Sequence, residues 1–148
     1  MPNIRAARAS DSHPINQLSL LFGYPQTSGD LTSVRLNELI NSDSDKVWVF
    51  EQHNQVLGWI HLFVAKRLAS ATFVEIGGLV VSADFRRQGI GRQLVERANS
   101  WAREKHLSFR VRCNAKRDDT CNFYKAVNFT ELKNQVVFEA GSVDHKKI

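Results

Sequence analysis

Along the chain the apolar positions switch between a period of two and a period near 3.6, and each switch predicts an element. Residues 4–9 read as a first strand. Asp11 then offers a cap, Pro14 suits a first turn, and Ile15, Leu18, Leu21 and Phe22 recur at helical spacing. Gly23-Tyr24-Pro25 stops that helix. A second follows, capped by Asp30 or Thr32, with Val34, Leu36, Leu39 and Ile40 turned inward. Residues 47–51 and 56–65 are β-branched and aromatic runs joined by Gln52-His53-Asn54-Gln55, the pattern of a hairpin, and residues 72–81 form a third run. From Gly89, apolar residues at Ile90, Leu94, Val95, Ala98, Trp101 and Ala102 make one stripe of a helix ending near His106. Residues 109–113 read as a strand, 118–127 as a second amphipathic helix, and 129–139 as a closing strand pair around Lys133-Asn134. The final nine or so residues are polar and expected to be loose. Strands clustered early with helices between later ones predict an α/β (mixed α+β) fold, a mixed sheet flanked by about four helices.

Composition narrows the class. A chain of 148 residues, 43% hydrophobic and 24% charged, makes one globular domain spanning residues 1–148. Its apolar runs are short, so no membrane span is expected. The first eight residues are basic but lack an apolar core, unlike a secretory signal. Cys113 and Cys121 cannot frame a disulfide scaffold and form no paired C-x-x-C for zinc; they read as buried small residues. A reducing cytoplasm is the expected home, and no metal is expected.

The net charge of +5 matters through its clustering. Arg86, Arg87 and Arg92 surround Gly89 and Gly91 in a segment running from strand through turn to helix. A helix start presents amides without intrahelical acceptors and about half a positive charge. Glycines there let an anion approach the main chain closely. The segment suits a pyrophosphate, although two glycines that merely let the helix pack closely on the sheet would read the same way. It is not a P-loop, because Arg92-Gln93 stands where Lys-Ser/Thr is required. Nor is it a dinucleotide fingerprint, which needs a third small residue where Leu94 stands.

Arg86-x-x-Gly89-x-Gly91, after an apolar strand and before an amphipathic helix, resembles the acyl-CoA-binding motif of the GNAT superfamily of N-acetyltransferases, in particular its small single-domain bacterial members. Asn114 after the next strand, and Phe123-Tyr124-x-x-x-Asn128-Phe129, are similar to the family's second motif, in which Gly usually stands at the place of Asn128. Asn tolerates the left-handed conformation such a helix end needs. The resemblance covers residues 73–138 well and the N-terminal half in element order only. It implies a twisted sheet of about six to seven strands, splayed where strands 72–81 and 109–113 part. It implies acetyl-CoA as cosubstrate, its pyrophosphate on the amides of Arg87, Gly89, Gly91 and Arg92, its arm along the main chain of Leu79 and Val81, and Asn114 bonding the arm from the other side.

Acetyl transfer to an amine needs a neutral amine, a polarised thioester carbonyl and a proton for the departing thiolate. Glu75 is the only acid in residues 73–81 and lies 11 residues before Arg86, a separation similar to that of the family's base. A structural ion pair is its competing role. His61 on the preceding strand is the alternative base. The Leu79 amide is carried over from the family as the group polarising the carbonyl. Tyr124 is the expected acid, since a phenol with pKa about 10 can protonate a basic thiolate. Tyr24, Trp59 and His61 are candidate walls of an acceptor site. The stretch Lys133-x-Gln135-x-Val137-Phe138 is similar to small bacterial acetyltransferases, some assigned to aminoglycosides. Aminoglycoside, polyamine, lysine or protein N-terminus all stay open as acceptors, and so does a homodimer. The rivals are a catalytically inactive CoA-binding domain and a basic nucleic-acid-binding module. The second would need bases spread along one face with exposed aromatics, whereas Trp101 belongs to an apolar stripe; neither nucleic acid nor membrane is expected as a partner.

Overall fold

The hairpin pattern is realised as β2 (Asp45–Gln52) and β3 (Gln55–Arg67), joined by His53 and Asn54, which both have positive φ, 51° and 62°. Two left-handed residues in succession match the right-handed twist of the flanking strands. The computed structural model describes residues 3–22 and 29–141. It falls into two compact units, one ending at Cys113 and the other beginning at Asn114.

In the first unit β1 (Ile4–Ala6), β2, β3, β4 (Ser70–Val81) and β5 (Ser108–Val111) lie in that order. The first three pairings are antiparallel and β4–β5 is parallel, so the sheet is mixed. Side chains alternate across it. Val47 and Val49 face α1 (Ser12–Phe22) and α2 (Gly29–Ile40), clustering with Ala7, Ile15 and Leu36. Trp48, from the opposite face, meets Trp101 of α3 (Ile90–Glu104) edge to face at 6.2 Å. All six residues of the expected α3 stripe are buried. Gly58 lets α3 seat closely: a Cβ there would lie 3.1 to 3.3 Å from Val80 O, Ile90 Cγ2 and Leu94 Cδ1.

α2 departs from expectation. Its first turn already includes Asp30 and Thr32, so neither caps it, and Thr32 Oγ1 instead donates to Asn16 Oδ1 at 2.9 Å. Leu36 is buried, but Val34 and Ile40 are exposed. Leu36 and Leu39 hold this helix on the cluster around Val49, as expected, whereas Val34 and Ile40 are left to solvent. The first strand ends at Ala6, because residues 9–11 wind into a 3-10 turn whose Asp11 carboxylate accepts the Arg8 N–H at 2.7 Å.

The second unit holds α4 (Asp118–Ala126). Asn128 follows it at φ 77°, with Phe129 N–H donating to Tyr124 O and Asn128 N–H to Lys125 O. This is the paired closure that ends a helix in a left-handed residue, built on Asn in place of Gly. His106 ends α3 in the same way, at φ 58°. The expected strand pair at residues 129–139 is absent: that stretch is neither helix nor strand. β-prone residue types alone do not make a strand, and the sheet order given by the described residues runs from β1 to β5. Five strands therefore stand, among the described residues, where six to seven were expected. The cysteines also differ from expectation: Cys113, past the end of β5, is exposed, and Cys121 is half-buried on α4, which buries no residue fully. Residues 23–25, expected to stop α1, and most of the tail from about residue 140 lie outside the described residues. No described helix is long and apolar enough to cross a membrane.

One ionic network anchors the first strand. Arg5 donates to Asp11 at 2.8 and 2.9 Å and to Glu51 at 3.1 and 3.2 Å. Burial pushes the Asp11 carboxyl up, but the bonds from Arg5 and the Arg8 amide outweigh it and hold it below its ordinary value. A carboxyl held low stabilises the fold above its unfolded pKa and loses that contribution as pH falls through the folded value. Asp11→Asn is therefore expected to cost about 1–2 kcal/mol near neutrality. In chemical denaturation across pH, the gap to wild type should stay constant above about pH 4 and narrow below it; a gap that widens in acid would contradict the assignment.

Candidate active site

β4 organises the site. Opposite β3 its register runs Ile76↔Leu62 and then Gly78↔His61, so Gly77 is the extra residue of a bulge. Only glycine fits there: a Cβ on Gly77 would stand 2.7 Å from His61 Nδ1 and 3.3 Å from Phe63 Cδ1. On its other edge β4 pairs with β5 only over Phe73–Ile76 against Ser108–Val111. From the bulge to Val81 the strand continues with no strand beside it on that edge, among the described residues. The sheet is thus split at the expected place, and the main chain of Leu79 and Val81 lies along the split. Both side chains are half-buried.

The chain then passes Ser82, whose N–H donates to Leu57 O at 2.7 Å, and a short 3-10 turn at Ala83–Phe85. Two left-handed residues follow, Arg87 at φ 68° and Gly89 at φ 79°, and α3 begins at Ile90. Gly89 is the N-cap, with no side-chain cap and no acid in the first turn of α3. A Cβ added at Gly89 would meet nothing closer than Gln93 Nε2 at 3.9 Å. Gly89 is therefore not there to let the helix pack, a role Gly58 fills. It supplies the positive φ and leaves the amides approachable. Arg86, Arg87 and Arg92 are exposed around this entrance. A helix start of this kind, basic and without a carboxylate competing for its amides, fits a diphosphate.

Glu75 lies in β4, opposite Phe63 of β3 and Arg110 of β5, its side chain 10% exposed. Arg112 Nε donates to both carboxylate oxygens, at 3.1 and 3.2 Å. The ion pair foreseen as the competing role of Glu75 is thus present. His61 is also engaged: its Nε2 donates to Asp45 Oδ1 at 2.7 Å, and its other nitrogen rests on Gly77. Burial pushes the Asp45 carboxyl up, yet the His61 and Ser42 bonds hold it below its ordinary value. Trp59 packs with Val56 and Leu39 on the cluster beneath α1 and α2. Tyr24 lies outside the described residues.

Asn114 and Tyr124 belong to the second unit. Asn114 is exposed at the start of a turn, its Oδ1 accepting the Lys116 N–H at 3.0 Å and its carbonyl the Arg117 N–H at 2.9 Å. Tyr124 is half-buried between Phe123 and Phe129, with ring centroids at 5.2 and 5.6 Å. Arg112 and Asp45 escaped the sequence reading: their partners are set by strand register, which residue spacing alone does not display. A concavity of about 590 Å³ opens elsewhere in the first unit, where Arg8, His13, Glu51 and Phe85 are among its lining residues; it does not include Glu75. Among the described residues no group of three His, Cys, Asp or Glu side chains is placed to hold a metal.

Comparison with known proteins agrees with this architecture. No curated protein matches the sequence. Among solved structures, the aminoglycoside 6'-N-acetyltransferase AAC(6')-Ih from Acinetobacter baumannii superposes with a TM-score of 0.83 at 18% identity, over 95% of this chain and 98% of that one. AAC(6')-IG from Acinetobacter haemolyticus gives 0.79 at 16% identity, over 96% and 99%. AAC(6')-Iy, solved in complex with CoA, gives 0.79 at 17% identity, over 92% of each chain. At such identities the likeness is one of fold. In sequence, residues 13–129 match the Acetyltransferase (GNAT) family, which spans well over half of the chain and includes both the glycine-entered helix and α4. The chain belongs to the GNAT acetyltransferase family.

Proposed function

We propose that this protein transfers the acetyl group of acetyl-CoA to a primary amine of a small-molecule or peptide acceptor, the two units working as one catalytic domain. The observation that carries the reading is the split of β4 from β5 running into a glycine-capped, carboxylate-free helix entrance. An extended polar arm needs main-chain partners, and a diphosphate needs amides and positive charge; β4 supplies the first and residues 86–92 the second. Arg87 is held at φ 68°, a conformation that costs a residue with a Cβ about 1–2 kcal/mol. Such local strain is retained where it shapes a binding loop.

Acetyl-CoA would supply the activated thioester. This chain's residues do the rest. The Leu79 amide, just past the bulge, polarises the carbonyl. Glu75, held in a fixed orientation by Arg112, accepts the amine proton through water. Tyr124 protonates the departing sulfur. His61, fixed by Asp45, serves as a wall of the acceptor site rather than as the base, with Trp59 as a second wall and Tyr24 a further candidate. Asn114 bonds the arm from the other side. The Glu75 carboxylate favours a cationic acceptor, and aminoglycosides lead the candidates because solved structures of this fold include aminoglycoside 6'-N-acetyltransferases.

The test is an acetyl-CoA turnover screen over aminoglycosides, polyamines, lysine and peptide N-termini, with release of free thiol as readout. Turnover is expected with at least one amine; none across the panel, with acetyl-CoA still bound, would favour an inactive CoA-binding domain. On the acceptor that responds, Tyr124→Phe should lower turnover at least about tenfold with acetyl-CoA affinity nearly unchanged, and wild-type turnover would remove its role. Glu75→Gln should depress the neutral-pH rate and move the pH–rate profile upward. An unaltered profile would place the base elsewhere.

A further inference from the structure

Two guanidinium groups converge on one aromatic ring of β4. Arg67 Cζ stands 5.3 Å and Arg110 Cζ 4.1 Å from the ring centre of Phe73. They come from the strands on either side, Arg67 at the end of β3 and Arg110 within β5. Both distances run to the same ring, so the two charges lie within about a Debye length, roughly 10 Å, of each other. A ring face attracts each cation, yet leaves the in-plane N–H donors of a guanidinium to other acceptors. Neither arginine has a hydrogen bond or ion pair among the described residues. Glu75 stands opposite Arg110 in register, but its carboxylate takes Arg112 instead. Like charges gathered with no carboxylate between them repel. An anion seated between them removes that cost, and guanidinium edges match the oxygens of carboxylate and phosphate. Arg67 is exposed and Arg110 half-buried, so a ligand can reach the pair from solvent.

The pair is separate from the entrance to α3. At the ordinary rise of a strand, Phe73 lies about 25 Å along β4 from Val81, so an anion here is not the diphosphate held by residues 86–92. Glu75 is close by contrast: two residues on from Phe73, it shares the same face of the sheet at a distance of about 6–7 Å. We infer that Arg67 and Arg110 form an anion subsite beside Glu75, taking a carboxylate or phosphate group of the acceptor while the acceptor's amine faces Glu75. The link to an acceptor rests on the acetyl transfer proposed above; the anion site itself stands on the two arginines. Likeness of fold puts aminoglycosides first, but two unpaired cations work against a polycation and for an amine that carries its own negative charge. The class selected is an ω-amino acid or its phosphate counterpart, with a chain between the two groups about as long as the step from Phe73 to Glu75.

The test is calorimetric titration of the full chain with ε-aminocaproate, with aminopentyl phosphate, and with ε-aminocaproamide, which keeps the amine and chain but has no charge at the far end. At least one of the two anions should bind at least about tenfold more tightly than the amide, by a margin that shrinks as salt rises, and the larger margin names the anion preferred. Arg67→Gln and, separately, Arg110→Gln should erase the margin and leave binding of the amide unchanged. The comparison of ligands on the wild-type protein decides the matter even if a variant fails to fold. Equal affinity for the anions and the amide, or a margin indifferent to both substitutions, would overturn the inference. Thiol release from acetyl-CoA, read with the same amines, should favour the bound anion over the amide at least about tenfold in kcat/KM. Equal turnover of both would overturn the subsite and leave the transferase reading standing. A binding margin with no transfer to any amine would uphold the anion site and count against that reading instead.

Discussion

A parallel pairing that stops after four residues is the constraint on which the site depends. β4 runs from Ser70 to Val81, but β5 accompanies it only to Ile76. The Gly77 bulge sits at that point, and glycine is required there because His61 occupies the space a Cβ would take. His61 is in turn anchored by the Asp45 carboxylate. The histidine that invited a catalytic reading thus has a structural part: it helps define where the sheet opens. From the bulge to Val81, β4 stays paired to β3 on one edge and has no strand beside it on the other, among the described residues.

The same economy governs the two charged pairs at this sheet. Arg5 draws Asp11 and Glu51 together and secures the short first strand. Arg112, just past β5, holds Glu75 of β4, so this carboxylate beside the split has a fixed orientation. A half-exposed guanidinium beside a nearly buried carboxylate can yield to a cationic ligand more readily than a buried pair could. A charged acceptor and a pre-formed ion pair are compatible on that ground.

Much of the fold was legible in residue order because its signals were local. The α3 stripe from Ile90 to Ala102, the hairpin around His53-Asn54 and the left-handed helix end at Asn128 each rest on a few neighbouring residues, and the structure carries all three. What depended on distant partners was not legible. Arg112 meets Glu75 only because Glu75 and Arg110 are opposed in register, and nothing in their spacing announces it. Residues 129–139 have the composition of strands but are neither helix nor strand. α2 looked more deeply buried than it is because Val34 and Ile40 fit the period without facing the sheet. Of the candidate site, the helix entrance was readable as chemistry, whereas His61 could be weighed only after Asp45 and Gly77 were seen around it.

The account turns on amides at the entrance to α3 holding a diphosphate. Calorimetric titration of acetyl-CoA against acetyl-pantetheine, which has the same thioester and arm but no diphosphate, isolates that interaction. Acetyl-CoA should bind wild type at least about a hundredfold more tightly than acetyl-pantetheine, a difference of roughly 3 kcal/mol, and Gly89→Glu should erase the advantage through charge and bulk. Equal affinity for the two ligands, or an advantage that survives Gly89→Glu, would contradict it.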